Sequence, residues 1–450
     1  MRAAEMKLIS DYEMVETEEA IACDPRGSVQ ACIILGCAWI FYLYEYILRV
    51  SPSVMTNELM TDFDVTSTSL GVLASFYYLA YVPLQIPCGL IVDRLGARKV
   101  ITFSSFLCIL GCILFSGSET LMMAKAGRFL IGAGSACAYL SCAKIGAEWF
   151  HSDKFAVVAG MTMMMGTFGG ISGGRPFAIL LNHYGWRQSM LIAAAVGCCI
   201  ALAAWLIIRD HPDSPSENRR KKSTSIDHAS NGSLFGGLRL IASNPQNWLI
   251  GLYGCMMYLP LSAFAELWGV PFLMQVYDIN NEIASTGTFM VFLGMALGCP
   301  LGAWLSNRFK SRIKIMSWSA LGTLFVFCIV FYVPNIPWDS MLCLLFVGGL
   351  ISGGQILYFA AAKEISPDNI SGTTIGFTNF LVMISGFVFQ PLVGRLLDLA
   401  WDGQMSIDGS PEYNISTYKI AFTAISIGLF VGWIIVQFVK ETYNHTVEQV

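Results

Sequence analysis

Along this chain the apolar residues neither alternate nor stay on one face of a helix. They run almost unbroken for some 20 positions at a time, and clusters of charge, glycine and proline separate the runs. Twelve runs can be drawn, near 29–51, 67–90, 99–117, 120–145, 156–180, 188–208, 247–275, 284–306, 314–333, 339–362, 371–394 and 417–439. A helix needs roughly 20 residues to cross the hydrocarbon layer of a bilayer, so each run predicts one membrane-spanning helix. An outer-membrane barrel is excluded, because its strands would alternate. The longest polar interruption, 209–246, carries Pro212, Pro215 and the basic run Arg219, Arg220, Lys221 and Lys222. It divides the chain into a tail (1–28), a six-helix bundle (29–208), a linker (209–246), a second six-helix bundle (247–439) and a short tail (440–450).

Composition agrees with an all-α membrane protein. Only 13% of residues are charged, where a soluble protein has about 25%, and 55% are hydrophobic. A net charge of -4 excludes a nucleic-acid partner and leaves the lipid bilayer as the main surrounding. Of the 27 Lys and Arg, all but Arg49, Lys125, Arg128, Arg175, Arg187, Arg395 and Lys419 fall on one side when both termini are placed in the cytoplasm. The positive-inside rule selects that orientation. With compact loops, the expected location is a bacterial inner membrane. The acids between Glu5 and Asp24 leave no basic start for a signal peptide.

The cysteines lie almost entirely inside apolar runs, as do Cys108, Cys112, Cys137 and Cys142, and are expected as small packing residues rather than disulfides. His151, His183, His211, His228 and His445 fall between the runs, with no C-x-x-C or H-E-x-x-H spacing, so no metal or other cofactor is expected. No Ser-His-Asp or nucleotide-binding pattern points to an enzyme. No segment outside the spans is long enough for an ordinary signalling domain. A monomer is expected.

The two halves echo each other. Asp93, Arg94 and Arg98 align with Asn307, Arg308 and Arg312, and at nearly the same offset Glu148 and Gly160 align with Glu364 and Gly376. In the first copy Gly89, Asp93, Arg94, Gly96, Arg98 and Lys99 stand in the spacing G-x-x-x-D-R-x-G-x-R-[KR]. This resembles the signature loop of the major facilitator superfamily of secondary transporters at every specified position. The resemblance implies two pseudo-symmetric six-helix bundles, a midplane binding site between them and alternating access by rocking. By residue type, Gly89 permits close helix approach, Asp93 suits a neighbouring helix N-terminus, and Arg94 and Arg98 can bridge to acids on other loops. Gly89, Asp93, Arg94, Gly96, Arg98, Arg308 and Arg312 are the expected gating residues. The second copy has lost its acid and its glycine, to Asn307 and Lys310, and should latch more weakly.

Ionisable side chains at bilayer depth cost about 2.5–3.5 kcal/mol each on insertion scales, which marks them as functional. Tyr42, Glu45, Tyr46 and Arg49 recur at helical spacing and share one face of the first span. Tyr46 and Arg49 together resemble a first-helix pattern of the organic anion:cation symporter branch, in which the arginine is a substrate-site residue. Glu45 and Arg49 could neutralise each other as an i, i+4 pair. Glu266 in the seventh span should lie near Arg49 across the cavity, and Glu45 and Glu266 are the expected proton-coupling acids. Arg128, Gly132, Gly134 and Ala136 resemble the superfamily's R-x-x-x-G-x-G-x-A pattern, which implies a cavity-facing arginine.

Gly166, Gly170 and Gly174 partly resemble the antiporter motif G-x-x-x-G-P-x-x-G-G. Ile171 replaces its proline and Arg175 its last glycine, which weakens that match and leaves the role of Arg175 open. Trp268, Gln355, Tyr358 and Asn379 complete a substrate-site set with Tyr42, Tyr46, Arg49, Arg128 and Glu266. The expectation is uptake of a small anionic or zwitterionic molecule, driven by a proton gradient. The alternatives are proton-antiport efflux and a transporter-like sensor.

Overall fold

A computed structural model of the chain describes residues 28–150, 155–211, 234–367, 370–406, 409 and 411–443. The expected tails, save residue 28 and residues 440–443, and the linker between 212 and 233 lie outside the described residues. Within them the molecule is helical, apart from an isolated bridge between Met405 and Pro411.

The first half comprises α1 (Val29–Val50), α2 (Ser67–Leu95), α3 (Ala97–Ser116), α4 (Leu121–Ser135), α5 (Ala138–Trp149), α6 (Phe155–Gly173) and α7 (Arg175–Ile207). Helices α4 and α5 are two pieces of one crossing, broken at Ala136 and Cys137. The second half comprises α8 (Pro245–Met257), a π-helical stretch Pro260–Trp268, α9 (Gly269–Tyr277), α10 (Asn281–Phe309), α11 (Arg312–Tyr332), α12 (Trp338–Ser352), α13 (Leu357–Glu364), α14 (Ser371–Leu399) and α15 (Ile415–Val436).

Eleven helical segments among the described residues are long and apolar enough to cross a membrane. One of them, Val157–Ile207, has 51 residues. At 1.5 Å per residue it would extend for roughly 76 Å, more than twice the hydrocarbon thickness. Inside it Gly185 sits at φ 75°, where a side chain would be strained, and the chain bends there. That segment is therefore two crossings, which makes twelve.

Local chemistry sets the ends and irregularities. Ser28, Asn280 and Asn414 cap helix N-termini by accepting from Ala31, Ile283 and Thr417 backbone N–H groups. The seventh crossing widens into a π-helical turn after Pro260, which has no N–H to give. That turn carries Glu266 at its buried centre. The halves meet closely along α2 and α14, where Gly71 lies against the backbone of Gln390 and Pro391, and Gly386 against the Tyr78 ring.

One expectation about cysteine is overturned. Cys88 of α2 and Cys137, at the break in the fourth crossing, form a disulfide with their Cα atoms 5.5 Å apart. The break turns Cys137 toward α2, and no spacing along the chain shows that meeting.

Candidate functional site

A cavity of about 380 Å³ lies between the halves. Its floor is built by Tyr42, Tyr46 and Arg49 of α1 and Tyr81 and Gln85 of α2. Tyr258, Tyr358 and Asn379 face them from the second half, and Tyr139 closes one side. The cavity extends past Gly89 to Asp93 and Lys144, at the signature-loop end of the molecule.

Arg49 is the charge at its base. Its Nε donates to the Tyr77 hydroxyl at 2.9 Å, and its Nη2 lies 3.4 Å from both oxygens of Glu45. The guanidinium also stacks on the rings of Tyr46 at 4.2 Å and Tyr81 at 4.9 Å. Glu45 lies behind the arginine, fully buried, and accepts from the Tyr77 hydroxyl at 2.9 Å. The i, i+4 ion pair read from the sequence is thus present, with only its arginine facing the cavity.

Glu266 has different partners from those expected. The hydroxyls of Tyr78 and of Tyr258 donate to its carboxylate, the latter at 3.3 Å, and its contact across the halves is with Tyr78 rather than Arg49. Tyr258 in turn touches the Tyr46 hydroxyl at 3.3 Å. A continuous polar path therefore runs from the Arg49 stack through Tyr46 and Tyr258 to Glu266.

Four residues expected to touch substrate do not line the cavity. Arg128 turns away and donates to the carbonyls of Leu48 at 2.7 Å and Arg49 at 3.3 Å. These are end carbonyls of α1, left without helical partners where the chain passes into Pro52, and a buried cation there suits the helix dipole. Glu266 is set behind Tyr258. Trp268 is buried and donates to the Gln390 carbonyl at 3.0 Å. Gln355 is buried against Met295, one turn from the cavity wall. Conversely, Tyr81, Gln85, Tyr139 and Lys144 line the cavity and were not singled out from the sequence. A polar i, i+4 pair in α2, Tyr81 and Gln85, was the signal available.

The two ends of the interface differ. At the end remote from the signature loop, Asp398 of α14 caps the start of α2. It accepts from the Thr66 hydroxyl at 2.6 Å, from the Thr68 N–H at 2.9 Å and from the hydroxyls of Thr68 and Tyr413. Asn281 donates to the Val54 carbonyl at 3.1 Å, and Arg175 pairs with Glu282 at 3.2 Å, which gives Arg175 a role across the halves.

At the loop end, among the described residues, the ion pairs stay within one half. Asp93 takes Lys144 at 2.9 Å, and Arg312 takes Glu364 at 2.8 Å. The Arg98 side chain reaches the Trp205 carbonyl and ring instead of an acid, and Arg94 and Arg308 are exposed. Gly89 faces the cavity with nothing within 4 Å of where a Cβ would stand, so it makes no close helix contact here. The deepest tie across this half of the cavity is Asn379 donating to Gln85 at 2.8 Å.

A sequence model of the Major Facilitator Superfamily matches residues 34–390. The probable galactarate/D-glucarate transporter GudP of Escherichia coli is 24% identical over 416 residues, which covers 85% of this chain and 90% of that protein. The membrane sensor protein UhpC of Salmonella typhimurium is 22% identical over 394 residues, 83% of this chain and 87% of its own length. The probable sulfoacetate transporter SauU of Cupriavidus necator is 22% identical over 306 residues, covering 65% and 69%. In fold, the chain is similar to a bacterial homolog of the human lysosomal transporter Spinster, crystallised inward-facing and unoccupied. That match has a TM-score of 0.72 at 17% identity, over 92% of this chain and 97% of the other.

Proposed function

The chain belongs to the Major Facilitator Superfamily, a family of transporters rather than enzymes, and from that premise we propose that it imports a small organic anion together with protons. The observation that carries this reading is Arg49, a buried cation at the base of the inter-half cavity with Glu45 behind it. A protonated Glu45 no longer competes for the guanidinium, so proton and substrate carboxylate bind together; when both leave, the ion pair re-forms. Glu266, joined to the cavity through Tyr258, is the second coupling acid. With both termini in the cytoplasm of a bacterial inner membrane, the tied end is the outer one and the cavity faces inward. Gln85 and Asn379, which bridge the halves beside Gly89, belong to the inner gate. The names of relatives include transporters of galactarate, D-glucarate and sulfoacetate, which supports an anionic cargo.

The test is uptake into proteoliposomes under an imposed pH gradient. Arg49→Lys keeps a cation beside Glu45 but loses the fork that grips a carboxylate, and should abolish uptake. Glu45→Gln should keep substrate exchange and lose gradient-driven accumulation. Normal accumulation in Glu45→Gln would remove that residue from coupling. A sensor, as the name of one relative has it, would bind the same anion and show no turnover. An efflux pump would show counterflow of cations instead.

A further inference from the structure

The anion reading leaves the class of anion open, and the cavity wall narrows it. Among the described residues three charged side chains line the cavity, those of Arg49, Asp93 and Lys144. Lys144 is held by two acids, Asp93 at 2.9 Å and Glu148 at 3.5 Å, so the mouth offers no net positive charge. The second arginine of the region, Arg128, spends both terminal nitrogens on the carbonyls of Leu48 and Arg49. One guanidinium remains, and one guanidinium grips one carboxylate. A second carboxylate, or the second charge of a phosphate, would be buried without a partner.

The rest of the wall is suited to rings. Arg49 lies among the faces of Tyr46, Tyr77 and Tyr81, between 4.2 and 5.2 Å from their centres. Beyond it stand Tyr42, Tyr139 and Tyr358, with the thioethers of Met163, Met295 and Met383. Of the two carboxamides, Asn379 donates to Gln85, and Gln85 donates to the Ala136 carbonyl at 3.2 Å. An aromatic ring finds offset and edge-on partners there.

We propose that this cavity, on the anion-importer reading, selects small monocarboxylates that carry an aromatic ring, against dianions. The site thereby departs from the cargoes in the names of several relatives, because its second cation caps a helix.

The experiment measures ligand protection of the detergent-purified full chain from thermal unfolding, titrated to apparent affinities. Benzoate, cyclohexanecarboxylate, phthalate, glucarate and glucose 6-phosphate are the probes. Benzoate should bind about tenfold more tightly than cyclohexanecarboxylate, which has the same charge and no aromatic face. It should also bind at least about tenfold more tightly than phthalate, which adds an unpaired charge. Tyr46→Leu, and independently Tyr81→Leu, should shrink the first ratio to about threefold or less by removing one stacking face. Equal affinities for benzoate and cyclohexanecarboxylate would overturn the aromatic preference. Protection by glucarate or glucose 6-phosphate alone, lost in Arg49→Lys, would overturn the class and leave the anion reading standing. No protection by any of the five would overturn both.

Discussion

The signature loop occurs twice, and the two copies hold their halves together with different groups. In the first, Asp93 draws in Lys144, and the Arg98 side chain lies over Trp205 at 4.4 Å. In the second, a neutral Asn307 leaves Arg312 free to grip Glu364 through Nε and Nη2, while its Nη1 donates to Ser306 and Asn307. The copy with the poorer sequence match has the better-buried pair, with side chains 15% and 25% exposed against 28% and 63%. The second knot was expected to be the weaker, and the burial of its ion pair runs the other way. In the first copy the acid holds a lysine and the Arg98 side chain meets Trp205; in the second, with the acid gone, Arg312 itself holds a carboxylate.

Beneath that difference the backbone plan is shared. The Arg98 N–H donates to Asp210 at 2.9 Å, and the Arg312 N–H to Glu441 at 2.8 Å. Each acid comes from the chain just beyond the last helix of its own half, and each sits at a helix N-terminus, where the dipole favours it. Gly96 at φ 81° and Lys310 at φ 50° occupy the same turn. Both have positive φ, but Gly96 has an extended ψ of 155° and Lys310 a left-handed helical ψ of 42°, a region a non-glycine residue can enter. Each knot thus ties together elements of its own half, while Asp398, Asn281 and Arg175 tie the halves at the opposite end.

Variants can break or sharpen this comparison. Arg312→Ala should have the largest effect, lowering apparent stability by about 2–3 kcal/mol as several charge-assisted hydrogen bonds are lost. Arg98→Ala, which removes a stacked and more exposed side chain, should cost clearly less in the same unfolding assay, and equal losses would erase the asymmetry. Gly96→Ala should cost about 1–2 kcal/mol, because it forces a side chain into the left-handed region and against Asp210. Lys310→Ala keeps a side chain at a left-handed position that already carries one, and should be close to neutral.

Asp93→Asn makes the first knot resemble the second. It should leave ligand affinity within about twofold while slowing turnover by about fivefold, a barrier change near 1 kcal/mol. Normal turnover would reduce Asp93 to an anchor of Lys144.

The smallest effect is on acidity. Burial pushes the Glu441 carboxyl upward, but bonds from the Ser311 hydroxyl and from the Arg312, Tyr443 and Ile313 N–H groups outweigh it and hold its pKa below the ordinary 4.5. A depressed acid stabilises the fold above its ordinary value, and that contribution is lost as pH falls through the lowered one. Glu441→Gln should therefore be slightly less stable than the parent near neutrality and indistinguishable from it well below pH 4.5.

The crossings and the family were legible in the chain itself, since run length answers to bilayer thickness and the signature loop answers to a local turn. Even the eleven-segment reading becomes twelve once Gly185 is taken as a bend. The Tyr42, Glu45, Tyr46 and Arg49 stripe was legible for the same reason, because helical spacing fixes which residues share a face. What that spacing leaves open is the neighbour each face meets. Arg49 and Arg128 look alike as intramembrane arginines, yet one faces the cavity and the other caps α1. Glu266 lies at the expected depth but meets Tyr78 and Tyr258. Cys88 and Cys137 meet where the fourth crossing breaks, at Ala136 and Cys137. These outcomes depend on helix rotation, crossing geometry and backbone breaks, which pack distant segments together, and so the tertiary structure alone decided them.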